Sequence, residues 1–131
     1  MDRPKRTVDD DRFAQYTGIE LVNCSPGYAL ARLTPENKHL NGLGFVQGGA
    51  IFTLADFAFA AASNEAGIPT LGINAAISYI KAPRGKVITA EAKEASATKK
   101  LCTYEVTVRD ENGELAAKML ATGYRKSMTP P

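Results

Sequence analysis

One histidine and two cysteines are all that this sequence of 131 residues offers toward a soft metal site. His39, Cys24 and Cys102 cannot supply the several His or Cys ligands that a zinc centre needs. The two cysteines form no CxxC pair, so a disulfide framework is not indicated either, and lone thiols suit a reducing cytoplasm. Excess charge of one sign is also missing. The formal balance is +2, too small to argue for a nucleic-acid partner, and no basic stripe interleaved with aromatics occurs. The N-terminal run M-D-R-P-K-R-T-V-D-D-D-R lacks the apolar core of a secretion signal, so a cytoplasmic protein is expected. Gly42-Leu43-Gly44-Phe45-Val46-Gln47 has Gln where a dinucleotide fingerprint requires a third glycine. Neither G-x-x-x-x-G-K-[ST] nor G-x-S-x-G appears, which removes P-loop and serine-hydrolase chemistry.

What remains is ordinary globular composition, 44% hydrophobic and 23% charged, enough for one domain spanning 1–131 with 1–8 and 126–131 as flexible tails. Asp9, Asp10 and Asp11 can cap a short helix running to Tyr16, with Gly18 as its stop. Ile19 to Asn23 and Tyr28 to Thr34 read as a hairpin around Pro26-Gly27. Residues 35–45 read as loop. A long helix follows Gly48-Gly49, closed by Gly67 and Pro69. Four strands come after it: Leu71 to Ile80, Val87 to Ala97, Leu101 to Arg109 and Glu114 to Tyr124, the last two joined at Asn112-Gly113, a strong hairpin signal. The order β-β-α-β-β-β-β is α+β, a curved antiparallel sheet wrapped around one central helix.

That helix is apolar on nearly every face, which predicts burial. It is interrupted by Asp56 and too short for a membrane span. Gly49, Thr53, Asp56, Ala60 and Ser63 follow i, i+4, i+7, i+11, i+14 spacing and share one narrow stripe of small or polar residues. A carboxylate in such company is costly unless it is partnered or uncharged, so Asp56 is either a satisfied core residue or a group facing a cleft. Gly48 opens the helix, where backbone N–H groups are unpaired and the dipole favours negative charge. Asn41 and Gln47 are amides able to orient a carbonyl or a water, with loop capping the alternative role for Asn41. Oxyanion donors plus a carboxylate are the minimum kit for acyl transfer to water. Gly48 and Asp56 lie about 12 Å apart along the helix axis, eight residues at 1.5 Å each. They can act on one carbonyl only if they come from different copies of the chain, with two helices antiparallel across a two-fold axis.

His39-x-Asn41-x-x-Gly44-x-x-Gln47-Gly48-Gly49-x-x-x-x-Leu54-x-Asp56, together with Tyr79-x-x-Ala82-Pro83, resembles the signature of the hotdog-fold acyl-CoA thioesterases of the phenylacetic-acid-degradation (PaaI-like) group. The resemblance covers about residues 12 to 125. It implies hydrolysis of a CoA thioester with no further cofactor. Asp56 would be nucleophile or general base, the Gly48 N–H the oxyanion donor, and Asn41 the positioner of water or base. It also implies a homodimer with shared sites, paired into a homotetramer. Substrate contacts would come from His39, Gly49, Thr53 and Gly72, and CoA phosphate contacts from Arg84, Lys86, Lys99 and Lys100. Two departures stand out. Gln47 replaces the usual His before Gly48, and the usual Ser or Thr on the strand after the helix falls at Gly72. Phe45, Phe52, Phe57, Phe59 and Tyr79 suit an aromatic or medium-chain acyl pocket equally well, with simple core packing the alternative role for most of them. The rival readings are an acyl-CoA-binding protein without turnover and an acyl-CoA hydratase or dehydratase, which needs a catalytic His in the pocket.

Overall fold

The computed structural model of the chain describes residues 5–126. A short helix α1 (Arg12–Thr17) leads into the hairpin of β1 (Glu20–Ser25) and β2 (Tyr28–Leu33). After a loop containing one 3-10 turn (Asn37–His39) comes α2 (Gly48–Asn64), then β3 (Thr70–Tyr79), β4 (Ile88–Ala97), β5 (Leu101–Arg109) and β6 (Leu115–Arg125). All strand pairs are antiparallel in one six-stranded sheet, with α2 packed on its inner face, as the sequence pattern predicts. No described helix is long and apolar enough to cross a membrane.

Order along the chain is not order in space. The strands lie β1-β2-β4-β5-β6-β3, so β2 sits beside β4 and β3 pairs with β6 at the far edge. Alternation assigns each side chain to a face but leaves the neighbouring strand open. The inward face is alanine-rich on β2 and β4 (Ala29, Ala31, Ala90, Ala92), and α2 opposes it with Leu54, Ala55, Ala58 and Ala62, all fully buried. Small side chains on both surfaces bring helix and sheet close. Larger ones fill the β5 side, where Phe59 meets Tyr104 edge-to-face at 5.4 Å between centroids.

Two expectations are corrected. Residues 5–8 are not a loose tail: Thr7 begins a 3-10 turn, Val8 enters the core, and Arg6 pairs with Glu65 at 2.8 Å. Residues 1–4 and 127–131 of the expected tails lie outside the described residues. Nor is α2 buried all round. Gly49 and Asp56 are exposed and Thr53 and Ala60 half-buried, leaving one open stripe, whereas Ser63 is buried at its end. The reason is that α1 covers one flank of the helix and β3 the other, and nothing among the described residues closes the gap between them.

Candidate active site

At the start of α2 the chain arrives through Gln47, whose carbonyl accepts from Ala50 (3.0 Å) and Ile51 (3.2 Å). The N–H groups of Gly48 and Gly49 have no hydrogen-bond partner among the described residues. They are two donors aimed out of the helix, where the dipole adds partial positive charge. The Tyr79 hydroxyl donates to the Gly48 carbonyl at 3.1 Å. A Cβ on residue 48 would stand 3.2 Å from Cζ of that ring, so glycine is what permits this contact. The Gln47 side chain makes no capping bond and folds over Gly49.

Asn41 organises the loop that delivers Gln47. Its Oδ1 accepts from the N–H groups of Leu43 (2.9 Å) and Phe45 (3.1 Å), which is the loop-capping role. Its Nδ2 stays without a partner among the described residues, and Asn41 lines the same cleft as Gly48 and Tyr79. His39 behaves differently. Its Nδ1 accepts the Glu36 N–H at 2.8 Å, so Nε2 carries the proton and donates to the Thr17 carbonyl at 2.7 Å. Both ring nitrogens are committed inside the fold and the ring is buried. The His39 carbonyl also receives the Gln47 N–H at 2.7 Å, so one residue ties the end of α1 to the start of α2. His39→Ala is expected to cost about 2–3 kcal/mol of stability, since it leaves buried backbone groups unpaired and opens a void. Urea unfolding at equilibrium measures it.

Asp56 lies on the open stripe beside a cavity of about 300 Å³ that Phe52, Phe59, Gly72, Ile73 and Asn74 also line. No hydrogen bond to its carboxylate occurs among the described residues. The carboxylate is open to solvent on one side and walled by apolar groups on the other. Burial against those walls, and secondarily the negative charge of Asp11, raise its acid above the ordinary aspartate value. Gly72 stands under the Phe59 ring, which a Cβ there would approach to 3.2 Å, so this position offers Asp56 no hydroxyl. Thr70 cannot supply one, because its hydroxyl faces the carbonyls of Ile68 and Ser63.

Within one chain the Gly48 donors and Asp56 sit eight residues apart on the same helix. The four basic candidates divide as well. Arg84 and Lys86 lie in the β3–β4 turn, which follows Tyr79 at the Gly48 end; neither side chain has an ion-pair partner among the described residues. Lys99 and Lys100 lie in the β4–β5 turn at the other end, where the Lys100 carbonyl accepts the Arg125 N–H across from Thr70. Of the aromatic candidates, Phe57 and Phe59 are core, while Phe45 and Tyr79 are about half exposed. Both cysteines are held toward the neutral thiol: burial first, then Glu65, pushes Cys24 up to about 11, and burial raises Cys102. Sequence reasoning missed Phe13 and Tyr16 of α1, which with Gln47, Gly49 and Thr53 line a cavity of about 430 Å³ on the other side of the helix start.

Comparison with known proteins gives a consistent answer. The profile of the family described as the Thioesterase superfamily matches residues 43–117. The acyl-coenzyme A thioesterase PaaI of Escherichia coli K12 is 26% identical over 118 residues, covering 89% of this chain and 84% of its own. The structure of a single-substitution mutant of the phenylacetic acid degradation protein PaaI from Thermus thermophilus superposes with a TM-score of 0.82 at 30% identity, covering 87% of this chain and 98% of that one. A hypothetical thioesterase of Streptococcus pneumoniae TIGR4, solved with coenzyme A, shares the fold at 21% identity, with a TM-score of 0.85 and coverage of 95% and 100%.

Proposed function

Because the chain belongs to the Thioesterase superfamily and is a PaaI-like thioester hydrolase of the hotdog fold, we propose that it hydrolyses acyl-CoA thioesters at a site built from both ends of the open helix stripe. One observation carries this reading. The same helix face presents two unpaired N–H donors at its start and an unpartnered carboxylate eight residues on, among the described residues. In this reaction the thioester carbonyl oxygen lies against the Gly48 N–H, where developing negative charge is favoured. The Gln47 amide and the free Nδ2 of Asn41 lie on either side of it. Asp56 acts as general base on a water or as the nucleophile itself. The C–S bond breaks, the thiol of CoA leaves, and the oxygen of water ends in the acid.

If the Gly48 N–H and Asp56 act on one carbonyl, their separation of about 12 Å along the helix calls for two chains. Two features support a homodimer. The stripe consists of small residues open to a second helix, and β3 is a sheet edge with Leu71 and Ile73 more than half exposed. Pairing β3 with its two-fold copy would lay the two α2 helices antiparallel, Gly48 of one against Asp56 of the other. Arg84 and Lys86, at the Gly48 end, are the cations best placed for CoA phosphates. The S. pneumoniae protein of the same fold was solved with CoA, which suits this substrate class.

Release of free thiol from a panel of acyl-CoAs tests the proposal. Tight binding without release would mark a binding protein. The hydratase reading is disfavoured because the one histidine has no free ring nitrogen. Gln47→His is expected to retain activity, since both side chains offer an N–H. Gln47→Ala should lose about 1–3 kcal/mol of transition-state stabilisation, the scale of a hydrogen bond to a charged group. An alanine variant with wild-type kcat/KM would reduce Gln47 to loop packing.

A further inference from the structure

Two clefts flank the first turn of α2, and their chemistry differs. The one beside Tyr79 has a volume of about 380 Å³ and includes Asn41, Gly48 and Lys81, whose amine is paired with Glu114. It runs toward the turn that carries Arg84 and Lys86. The other, of about 430 Å³, lies against α1 and is mostly apolar, with Phe13, Tyr16 and Ala50 facing Gln47 and Gly49. Its single cation, Lys38, is already engaged, with its amine donating to the Tyr16 carbonyl at 2.8 Å and lying 5.2 Å from the centre of the Tyr16 ring.

Phe13 and Tyr16 are 65% and 77% exposed, large values for rings on a rigidly held element. Asp11 caps the start of α1 through the Ala14 N–H at 2.9 Å, and Gly18 closes its end in the left-handed conformation. His39 then fixes the Thr17 carbonyl to the Gln47 loop. The rings are held beside the site; the Lys38 amine lies over Tyr16, and both rings stay more than half exposed. An open apolar wall of that kind, continuous with a polar reacting centre, is the form of a small-molecule subsite.

We infer that the cleft against α1 receives the acyl group, and that Phe13 and Tyr16 are specificity-determining residues that favour apolar acyl groups extending well beyond the carbonyl. The inference rests on the thioesterase reading above. A thioester carbonyl at the Gly48 N–H has two arms, one ending in phosphates and one in carbon. The cations stand on the Tyr79 side, so the phosphorylated arm runs there and the acyl arm turns toward α1. Because the cleft is open rather than closed at its end, the rings act as contact surface for distal carbons and not as a stop.

The test is kcat/KM for acetyl-CoA and octanoyl-CoA, measured by thiol release, in the wild type, in the Phe13→Ala/Tyr16→Ala double variant and in Phe45→Ala. The octanoyl-to-acetyl ratio should fall about tenfold or more in the double variant, the discrimination carried by one or two methylenes in an apolar pocket. Phe13→Leu with Tyr16→Phe should restore most of it. Phe45→Ala, on the other cleft, should move KM for both substrates and leave the ratio within about twofold. A double variant with an unchanged ratio, or a ratio that falls only in Phe45→Ala, overturns the assignment of the cleft. A wild type that releases thiol from neither substrate overturns the thioesterase reading itself. The rings are solvent-exposed, so an unchanged melting temperature is expected and separates loss of contact from loss of fold.

Discussion

Asp56→Asn is expected to fold normally and to lose roughly 10²–10⁴ in turnover, the range for removing a positioned acid–base group. The substitution keeps the shape of the side chain and removes only its ability to take a proton or attack. Its stability effect has a definite sign. A carboxyl raised by burial and by Asp11 is better accommodated protonated. It therefore favours the fold below the ordinary aspartate range, and that contribution disappears as pH rises through the elevated value. At neutral pH the charged Asp56 is a burden to the single chain, so the amide variant should melt at the same temperature or higher while losing activity. The activity of the wild type should fall on the acid side through a group above the usual aspartate value. Wild-type turnover in a sequence-verified Asp56→Asn preparation would remove Asp56 from the mechanism.

Mixing two dead variants should bring activity back. One carries Asp56→Ala, the other Gly48→Pro, which deletes the N–H at the helix start. The backbone accepts that proline: Gln47 already has φ −66° and ψ 142°, the extended geometry required before proline, and the first helical position is where proline fits best. The new ring carbons press on Tyr79, whose half-exposed ring has room to shift. If each site takes Gly48 from one chain and Asp56 from the other, a mixed dimer concentrates both lesions in one site and leaves the other intact. Random assembly from equal amounts makes half the dimers mixed, so about a quarter of wild-type activity should return. Sites confined to single chains would return none. Co-refolding followed by thiol release reads the difference, and an inactive mixture with proven subunit exchange would exclude the shared site.

The elements of this fold were legible because their signals are local. Alternation in β4 and β5, the Asn112-Gly113 turn and the uninterrupted apolar run after Gly48-Gly49 each appear where the pattern puts them. The open stripe on α2 was also legible, since Gly49, Thr53, Asp56 and Ala60 share a face by periodicity alone. Three things were not. The placement of β3 beside β6 depends on which edge the chain reaches after the helix, and alternation does not encode this. Val8 belongs to the core although it sits among charged residues, because one turn of 3-10 helix suffices to bury a single side chain. Phe13 and Tyr16, spaced like core residues of a helix, point away from the core, and only the fold shows them beside Gln47. A loop-packing role for His39, the alternative to a base that its place in the loop before α2 offers, matches its ring nitrogens, which join two segments that lie far apart in sequence, while the residue also lines the cleft against α1.

The unpaired edge of β3 has a further consequence. Its outer N–H and C=O groups and the exposed Leu71 and Ile73 are a template for any extended chain as well as for a second copy. On the shared-site reading, occupation of that edge follows the law of mass action, so the protein's resistance to heat depends on how much of it is in the tube. Dilution should lower the melting temperature and specific activity together, while an added substrate analogue should raise the melting temperature by drawing monomers into the paired form.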